Sequence, residues 1–138
     1  MSLFNIFNVS GSAMSAEAVR LNTTSSNLAN ANSVSSSAQE TYRSRQPVFA
    51  AELKTASSQR GESVPVQVLG IVESQKPLRA EYNPDHPLAN EEGYIFKPNV
   101  NVMEEMANMI SASRSYQTNV QIADASKQML QQTLNMGK

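Results

Sequence analysis

Residues 101–136 read NVMEEMANMISASRSYQTNVQIADASKQMLQQTLNM, and this stretch decides the fold. Apolar side chains recur in it at alternating intervals of three and four residues, and no glycine or proline occurs before Gly137. This spacing predicts one long helix that packs along a single stripe against another helix. The expected core rows of this helix are Val102, Met109, Tyr116, Ala123 and Leu130, and Met106, Ser113, Val120, Lys127 and Leu134.

The start of this helix carries local signals. Asn101 is a favourable N-cap residue, and Glu104 follows three residues later, as in a capping box. Glu104 and Glu105 also place negative charge in the first turn, where the helix dipole favours it. A helix of about 35 residues is about 52 Å long. A compact chain of this size is only about 37 Å across. We therefore expect an elongated molecule, or a helix that reaches into partners.

A second heptad pattern occupies residues 3–31 and predicts an N-terminal helix that ends near Asn30. Gly11 weakens this helix by about 1 kcal/mol relative to alanine. Its expected core rows are Phe4, Gly11, Ala18 and Ser25, and Phe7, Met14, Leu21 and Leu28. Because small and polar residues interrupt both patterns, we expect each terminal helix to be marginally stable alone and to need neighbours.

The middle of the chain differs from its ends, because all six prolines lie between residues 47 and 98. The sequence predicts strands at 47–53, 64–72 and 94–96, the second with a bulge near Gly70, a flexible loop at 55–63 and a turn at 83–87. The expected fold is mainly α with a small β region between two long terminal helices of coiled-coil spacing. The expected units are a helical assembly domain from 1–40 and 98–138, and a β-rich middle region from 41–97.

Charge is distributed unevenly along the chain. Residues 1–39 and 106–138 hold only 6 of the 23 charged side chains, and Ser, Asn, Gln, Thr and Ala replace them. Such helices suit close contact with protein on several sides, although a neutral, solvated coil has the same composition. The net charge of −1 argues against nucleic-acid binding. No apolar run reaches the roughly 18 to 20 residues of a membrane span, and the N-terminus lacks the pattern of a cleaved secretory signal.

The residues that could carry chemistry are few. The chain has no cysteine and one histidine, His86, which stands between two prolines beside Asp85. Adjacency in sequence is not the geometry of a catalytic triad. The carboxylate pairs at 91–92 and 104–105 have no accompanying ligand cluster for a metal ion, and the five glycines form no phosphate-binding loop. The residues thus offer no candidate for catalysis, and we expect no enzymatic activity, no cofactor, no metal and no small-molecule substrate.

Several motifs resemble those of bacterial flagellar axial proteins, the family of rod, hook and hook-associated proteins. The N-terminal signature is Ser25-Ser26-Asn27-Leu28-Ala29-Asn30-Ala31-Asn32. The motifs that resemble the short proximal-rod members are Asn83-Pro84-Asp85-His86-Pro87-Leu88-Ala89, Gly93-Tyr94, Pro98-Asn99-Val100-Asn101-Val102 and Ile110-Ser111-Ala112-Ser113-Arg114-Ser115-Tyr116-Gln117. The resemblance covers essentially the whole chain and is weakest across residues 55–75.

The resemblance implies a structural subunit of the flagellar proximal rod, the drive shaft that transmits torque to the distal rod and hook and encloses the export channel. It implies that the long terminal helices pair as an antiparallel coiled-coil-like domain. It also implies that the chain crosses to the periplasm through the flagellar type III apparatus without cleavage of a signal. The implied partners are copies of itself, other rod proteins, and the export apparatus with the MS ring, without direct membrane insertion. A distal-rod or hook-related subunit and a soluble helical adaptor are the alternatives.

The heptad patterns and the asparagine-rich signature together define the candidate assembly residues. Asn27 and Asn30 lie three residues apart on one helix face. We expect their amides to bond to the opposite helix or to a neighbouring subunit, although ordinary capping of the helix end remains open. The candidates are Phe4, Phe7, Met14, Leu21, Asn27, Leu28, Asn30, Met106, Met109, Tyr116, Val120, Leu130 and Leu134.

Overall fold

The computed structural model of the chain describes residues 3–51 and 64–137, and the predicted loop at 55–63 lies outside them. The elements are α1 (Leu3–Asn30), β1 (Arg45–Ala51), β2 (Val66–Glu73), β3 (Arg79–Tyr82), β4 (Tyr94–Lys97) and α2 (Val102–Met136). The expected fold class, two long terminal helices with a small β region between them, is confirmed. Neither described helix combines the length and apolarity that a bilayer crossing requires.

The ends of the helices follow the local signals of the sequence. Asn101 caps α2, and its side-chain Oδ1 accepts a hydrogen bond from the backbone N–H of Met103 at 3.2 Å. Glu104 and Glu105 occupy the first turn, and Gly137 caps the C-terminal end. At the end of α1, the backbone N–H of Ser33 donates to the carbonyl of Asn30 at 3.1 Å. Both boundaries therefore depend on neighbours close in sequence.

The two helices pack against each other in antiparallel orientation. Nη2 of Arg20 on α1 donates a hydrogen bond to Oδ1 of Asn108 on α2 at 3.1 Å. One turn further along α1, Thr24 lines the same cleft as Glu105, which lies one turn earlier on α2. Because both helices rise by the same distance per residue, this register places one heptad row of α1 opposite one heptad row of α2. These rows are Ser10, Glu17 and Thr24 on α1, and Asn119, Ala112 and Glu105 on α2.

The row of α2 that faces α1 carries small or polar side chains. Ala112 is fully buried, and Glu105 and Ser126 are 4% and 2% exposed. Met106 from the expected second core row is instead 47% exposed, whereas Val120 of that row is half-buried, so the row borders the contact with α1 rather than forming its centre. Small side chains let the helices approach closely, whereas the larger apolar residues would hold them apart.

The helix α2 extends beyond its partner. It has 35 residues, whereas α1 has 28. The register set by Arg20 and Asn108 brings Leu3 opposite about residue 125. The last turns of α2 therefore extend past the described part of α1, and Met136 in this extension is 87% exposed.

The strands β1 and β2 form an antiparallel hairpin that contacts α1. Val48 pairs with Gly70 and Phe49 pairs with Val68, so Leu69 is an extra residue on β2. The predicted bulge near Gly70 is thus confirmed, and it bends the hairpin locally. The backbone N–H of Val66 donates to the hydroxyl of Ser12 on α1 at 3.1 Å, which ties the start of β2 to the helix.

The strands β3 and β4 form a second antiparallel hairpin. The strand β3 was missed from the sequence, because it has only four residues, all of them exposed, and so short a run carries little signal. Gly93, at φ 81°, precedes β4, and a Cβ atom there would lie 2.9 Å from Cε2 of Tyr82. Glycine is therefore required at this turn. Backbone bonds between Ser35 and Phe96 attach the segment after α1 to β4.

The apolar core of the described residues is small. Its fully buried hydrophobic residues are Ala16, Ile95, Val100 and Ala112. Many larger apolar side chains remain exposed on α2 and on the first hairpin. Burial of apolar surface is the main favourable contribution to folding. The isolated chain therefore obtains little of the stabilisation that its sequence offers.

Enlarging Ala112 should separate the two helices. Because Ala112 is fully buried between them, Ala112→Leu should lower the free energy of unfolding by about 1–3 kcal/mol. The matched control is Ala107→Leu on the exposed side of α2, which should change it by less than about 0.5 kcal/mol. Urea unfolding followed by far-ultraviolet circular dichroism measures both. Equal losses in the two variants would contradict this helix packing.

Candidate assembly surface

The side chain of Asn27 joins three parts of the chain. It is fully buried near the end of α1. Its Oδ1 accepts hydrogen bonds from the hydroxyl of Tyr42 and from the backbone N–H of Arg45, both at 2.9 Å. Its Nδ2 donates to the carbonyl of Arg45 at 2.8 Å. One carboxamide therefore fixes the first residue of β1 and the loop before it against α1.

These bonds correct the expectation for Asn27, whereas that for Asn30 stays a prediction. Asn27 bonds to the middle region of its own chain, and its complete burial leaves it no surface for the opposite helix or another subunit. Nδ2 of Asn30 donates to the carbonyl of Ser26 within α1 at 2.8 Å. The helical spacing indicates that the two residues share a face. The return of the chain after Asn30 is what brings Arg45 to that face.

Charged groups surround this asparagine. The guanidinium of Arg45 lies 5.4 Å from the ring centroid of Tyr42 and 3.2 Å from Oε1 of Glu73. Burial raises the pKa of the Tyr42 hydroxyl, the carboxylates of Glu105 and Glu73 raise it further, and the guanidinium of Arg45 opposes them. The hydroxyl that donates to Asn27 therefore keeps its proton at neutral pH.

A second asparagine, Asn99, performs a similar role before α2. Its Oδ1 accepts from the backbone N–H of Ser44 at 2.8 Å. Its Nδ2 donates to the carbonyls of Ser74 and Lys76 at 3.3 and 2.8 Å. These bonds hold the entrance of β1 and the exit of β2 beside the segment that leads into α2. Sequence reasoning did not single out this role, although Asn99 lies within the Pro98–Val102 motif.

Large apolar side chains line the outer side of α2 near its start. Met103, Met106 and Ile110 are 76%, 47% and 54% exposed, and their spacing of three and four residues places them along one stripe. On the first hairpin, Leu69 and Ile71 are 64% and 53% exposed. Contiguous apolar surface of this kind marks sites of protein–protein contact.

The predicted assembly residues divide by exposure. Those that are half-buried are Phe7, Met14, Leu21, Leu28, Asn30, Met109, Val120 and Leu130. Those that are exposed are Phe4, Met106, Tyr116 and Leu134. Asn27 alone among them is buried. The exposed residues lie on the surface of the isolated chain, where a further subunit could contact them.

The candidate chemical groups show local structural roles. Nδ1 of His86 accepts the backbone N–H of Leu88 at 3.1 Å, within the turn that connects β3 and β4. Across residues 3–51 and 64–137, no group of three or more histidine, aspartate or glutamate side chains is placed to hold a metal ion.

Comparisons with known proteins identify both ends of the chain. Residues 7–35 match the family described as "Flagella basal body rod protein", and residues 91–136 match "Flagellar basal body rod FlgEFG protein C-terminal". The chain is 43% identical to the flagellar basal-body rod protein FlgC of Salmonella typhimurium and 44% identical to that of Escherichia coli O157:H7. The FlgC of Buchnera aphidicola from Acyrthosiphon pisum is 39% identical. Each of these alignments covers the full length of both chains.

Removing the carboxamide of Asn27 should detach the first hairpin from α1. Asn27→Ala removes the partner of the backbone N–H and carbonyl of Arg45 and of the Tyr42 hydroxyl, which should lower the free energy of unfolding by about 2–4 kcal/mol. The matched control is Asn30→Ala, which removes only a bond within α1 and should cost less than about 1 kcal/mol. Thermal unfolding monitored by circular dichroism compares them. A cost for Asn27→Ala no larger than the control's would contradict the role of Asn27.

Proposed function

The chain belongs to the FlgC family of flagellar basal-body rod proteins, and we propose that it builds the rod by packing α1 and α2 against the helices of other subunits. It is a structural subunit of the proximal rod and not an enzyme. The full-length match to FlgC proteins favours this family over a distal-rod subunit, a hook-related subunit or a helical adaptor.

The exposed apolar surface of α2 is the observation that supports this proposal. Met103, Ile110 and Leu134 are 76%, 54% and 65% exposed, and they lie at both ends of a helix about 52 Å long. A subunit of a polymer covers such surface when it assembles. The small, weakly charged residues elsewhere on the helices avoid the cost of burying unpaired charges in the assembled rod.

The partners in this proposal are further copies of the chain, other rod proteins, and the export apparatus with the MS ring below them. The helical ends, residues 1–40 and 98–138, form the assembly domain around the export channel, and residues 41–97 form the middle region. Side-by-side contacts along long helices suit a shaft that transmits torque, because the load is shared among many interfaces rather than concentrated at one.

We also propose that the chain reaches the periplasm through the flagellar type III apparatus without cleavage of a signal. The small apolar core supports this route, because a weakly stabilised subunit unfolds at little cost and can pass through a narrow channel. Assembly then supplies the missing apolar burial, so folding and polymerisation are coupled. On this account the helical ends gain order when the rod forms.

Replacing Leu28 with aspartate should block incorporation into the rod. Leu28 is half-buried near the end of α1, and a carboxylate there would be removed from water without a partner. In a strain that lacks the gene, wild-type protein and the exposed control variant Ala29→Asp should restore rods. Leu28→Asp should leave basal bodies without complete rods. Electron microscopy of purified basal bodies measures this outcome, and normal rods with Leu28→Asp would refute the assignment of Leu28 to assembly.

Limited proteolysis should distinguish the free subunit from the assembled one. We expect rapid trimming of residues 1–40 and 98–138 in the purified monomer, because neither helix has enough burial to resist local opening. The same segments should be protected in purified basal bodies. Mass spectrometry of the fragments identifies the cleavage sites. Termini that resist proteolysis equally in the monomer would contradict assembly-coupled folding.

A further inference from the structure

We propose that the guanidinium of Arg114 from one subunit binds the carboxylates of Glu104 and Glu105 on a second copy of the chain. This inference rests on the proposed assembly of the chain into the rod. It assigns a specific charged contact to the start of α2. In the cleft between α1, β1 and α2, the carboxylates of Glu104 and Glu105 form no ion pair with a described residue. The cleft has a volume of about 420 Å³.

The basic residues that line this cleft already have partners. Arg20 lies 3.8 Å from Oε2 of Glu17 and donates to Asn108 at 3.1 Å. Arg45 bonds to Glu73 at 3.2 Å and stacks over the ring of Tyr42. The partners of both guanidinium groups are therefore residues other than Glu104 and Glu105.

The two acidic residues of the cleft are less well satisfied. Glu105 is 4% exposed, and its Oε2 is buried without a hydrogen-bond partner among the described residues. Glu104 is exposed beside it, with no ion pair to any described residue. A buried carboxylate oxygen without a donor is unfavourable. The cleft is therefore suited to bind a cationic side chain of another subunit that carries several N–H donors.

Arg114 has the chemistry and the placement for this role. It is exposed, and no described acidic side chain pairs with it. An arginine has five N–H donors and binds carboxylates with two parallel bonds. Arg114 also shares one outer strip of α2 with Glu104, since positions 104, 107, 111 and 114 follow the helical spacing. Ala107 and Ser111 between them are small and exposed, so a neighbouring subunit can approach closely.

The ion pair has to join different subunits. Glu104 and Arg114 are ten residues apart on one helix, about 15 Å along its axis. Side chains of one helix meet at separations of three or four residues, not ten. When Arg114 of each copy binds the cleft of the next, the contact is head-to-tail and leaves a free cleft and a free arginine at the ends. Such heterologous contacts propagate a polymer, as a rod requires.

Exchange of the two charges tests this contact. Glu104→Arg and Arg114→Glu should each lower the amount of chain in purified basal bodies about five- to thirtyfold, as expected for loss of a partly buried charge pair. The double variant should incorporate better than either single variant, because the charges at positions 104 and 114 attract each other again, while the unchanged Glu105 opposes full recovery. The matched control Lys127→Glu, on the same helix but off this strip, should incorporate normally.

The double variant also controls for folding, because it retains the basic residue in the first turn of α2. A double variant no better than the single variants would overturn the contact. If the double variant fails in this way while the wild-type chain is present in basal bodies, the contact is refuted but the proposed rod function stands. Wild-type chain absent from basal bodies would instead refute the proposed function itself.

Cross-linking supplies an independent test, because the chain contains no cysteine. Basal bodies with Ala107→Cys and Gln117→Cys in the same chain, exposed positions one turn after Glu104 and Arg114, should give covalent multimers with a short bis-maleimide, because both charges of the contact are kept. The control pair Ala107→Cys and Lys127→Cys should give none. Multimers larger than dimers would support head-to-tail contact. Dimers alone would overturn that arrangement, and equal yields from both pairs would overturn the specific pairing.

Discussion

The fold of the isolated chain depends on the buried carboxamide of Asn27. Both of its polar atoms are used, and they hold Tyr42 and the first residue of β1 against the end of α1. A buried amide of this kind is favourable only when it is fully hydrogen-bonded. Because the bonds reach across the loop after α1, they determine where the middle region lies. The cleft beside Glu105 follows from that placement.

The interface between α1 and α2 imposes a second constraint. Its central row of small and polar residues lets the helices lie close together but buries little apolar surface. Larger apolar residues such as Met103 and Ile110 are left on the outside. A stable monomer would direct these residues inward, whereas a subunit of an assembly keeps them for its neighbours. The small apolar core and the exposed apolar stripe therefore have one cause, which is that α1 packs against the small and polar row of α2.

Charge placement fits the same account. Only five of the 35 residues of α2 are charged, so these few charges are conspicuous. Glu105 is buried at the start of α2, and Arg114 is exposed further along it. Neutral surfaces tolerate several packing arrangements, whereas charged pairs penalise incorrect ones. In a tube built from similar helices, a small number of charged contacts can therefore specify the register between subunits.

The sequence by itself determined both long helices, because heptad spacing and capping residues such as Asn101 act over a few neighbouring positions. It also determined the bulged strand around Gly70, and its motifs identified the flagellar axial family. Only the tertiary structure decided that Ala112 rather than Met106 faces α1, because a heptad row has two flanks and periodicity does not distinguish them. It also decided that Asn27 bonds to Arg45, 18 residues away, because partners distant in sequence are set by how the whole chain packs.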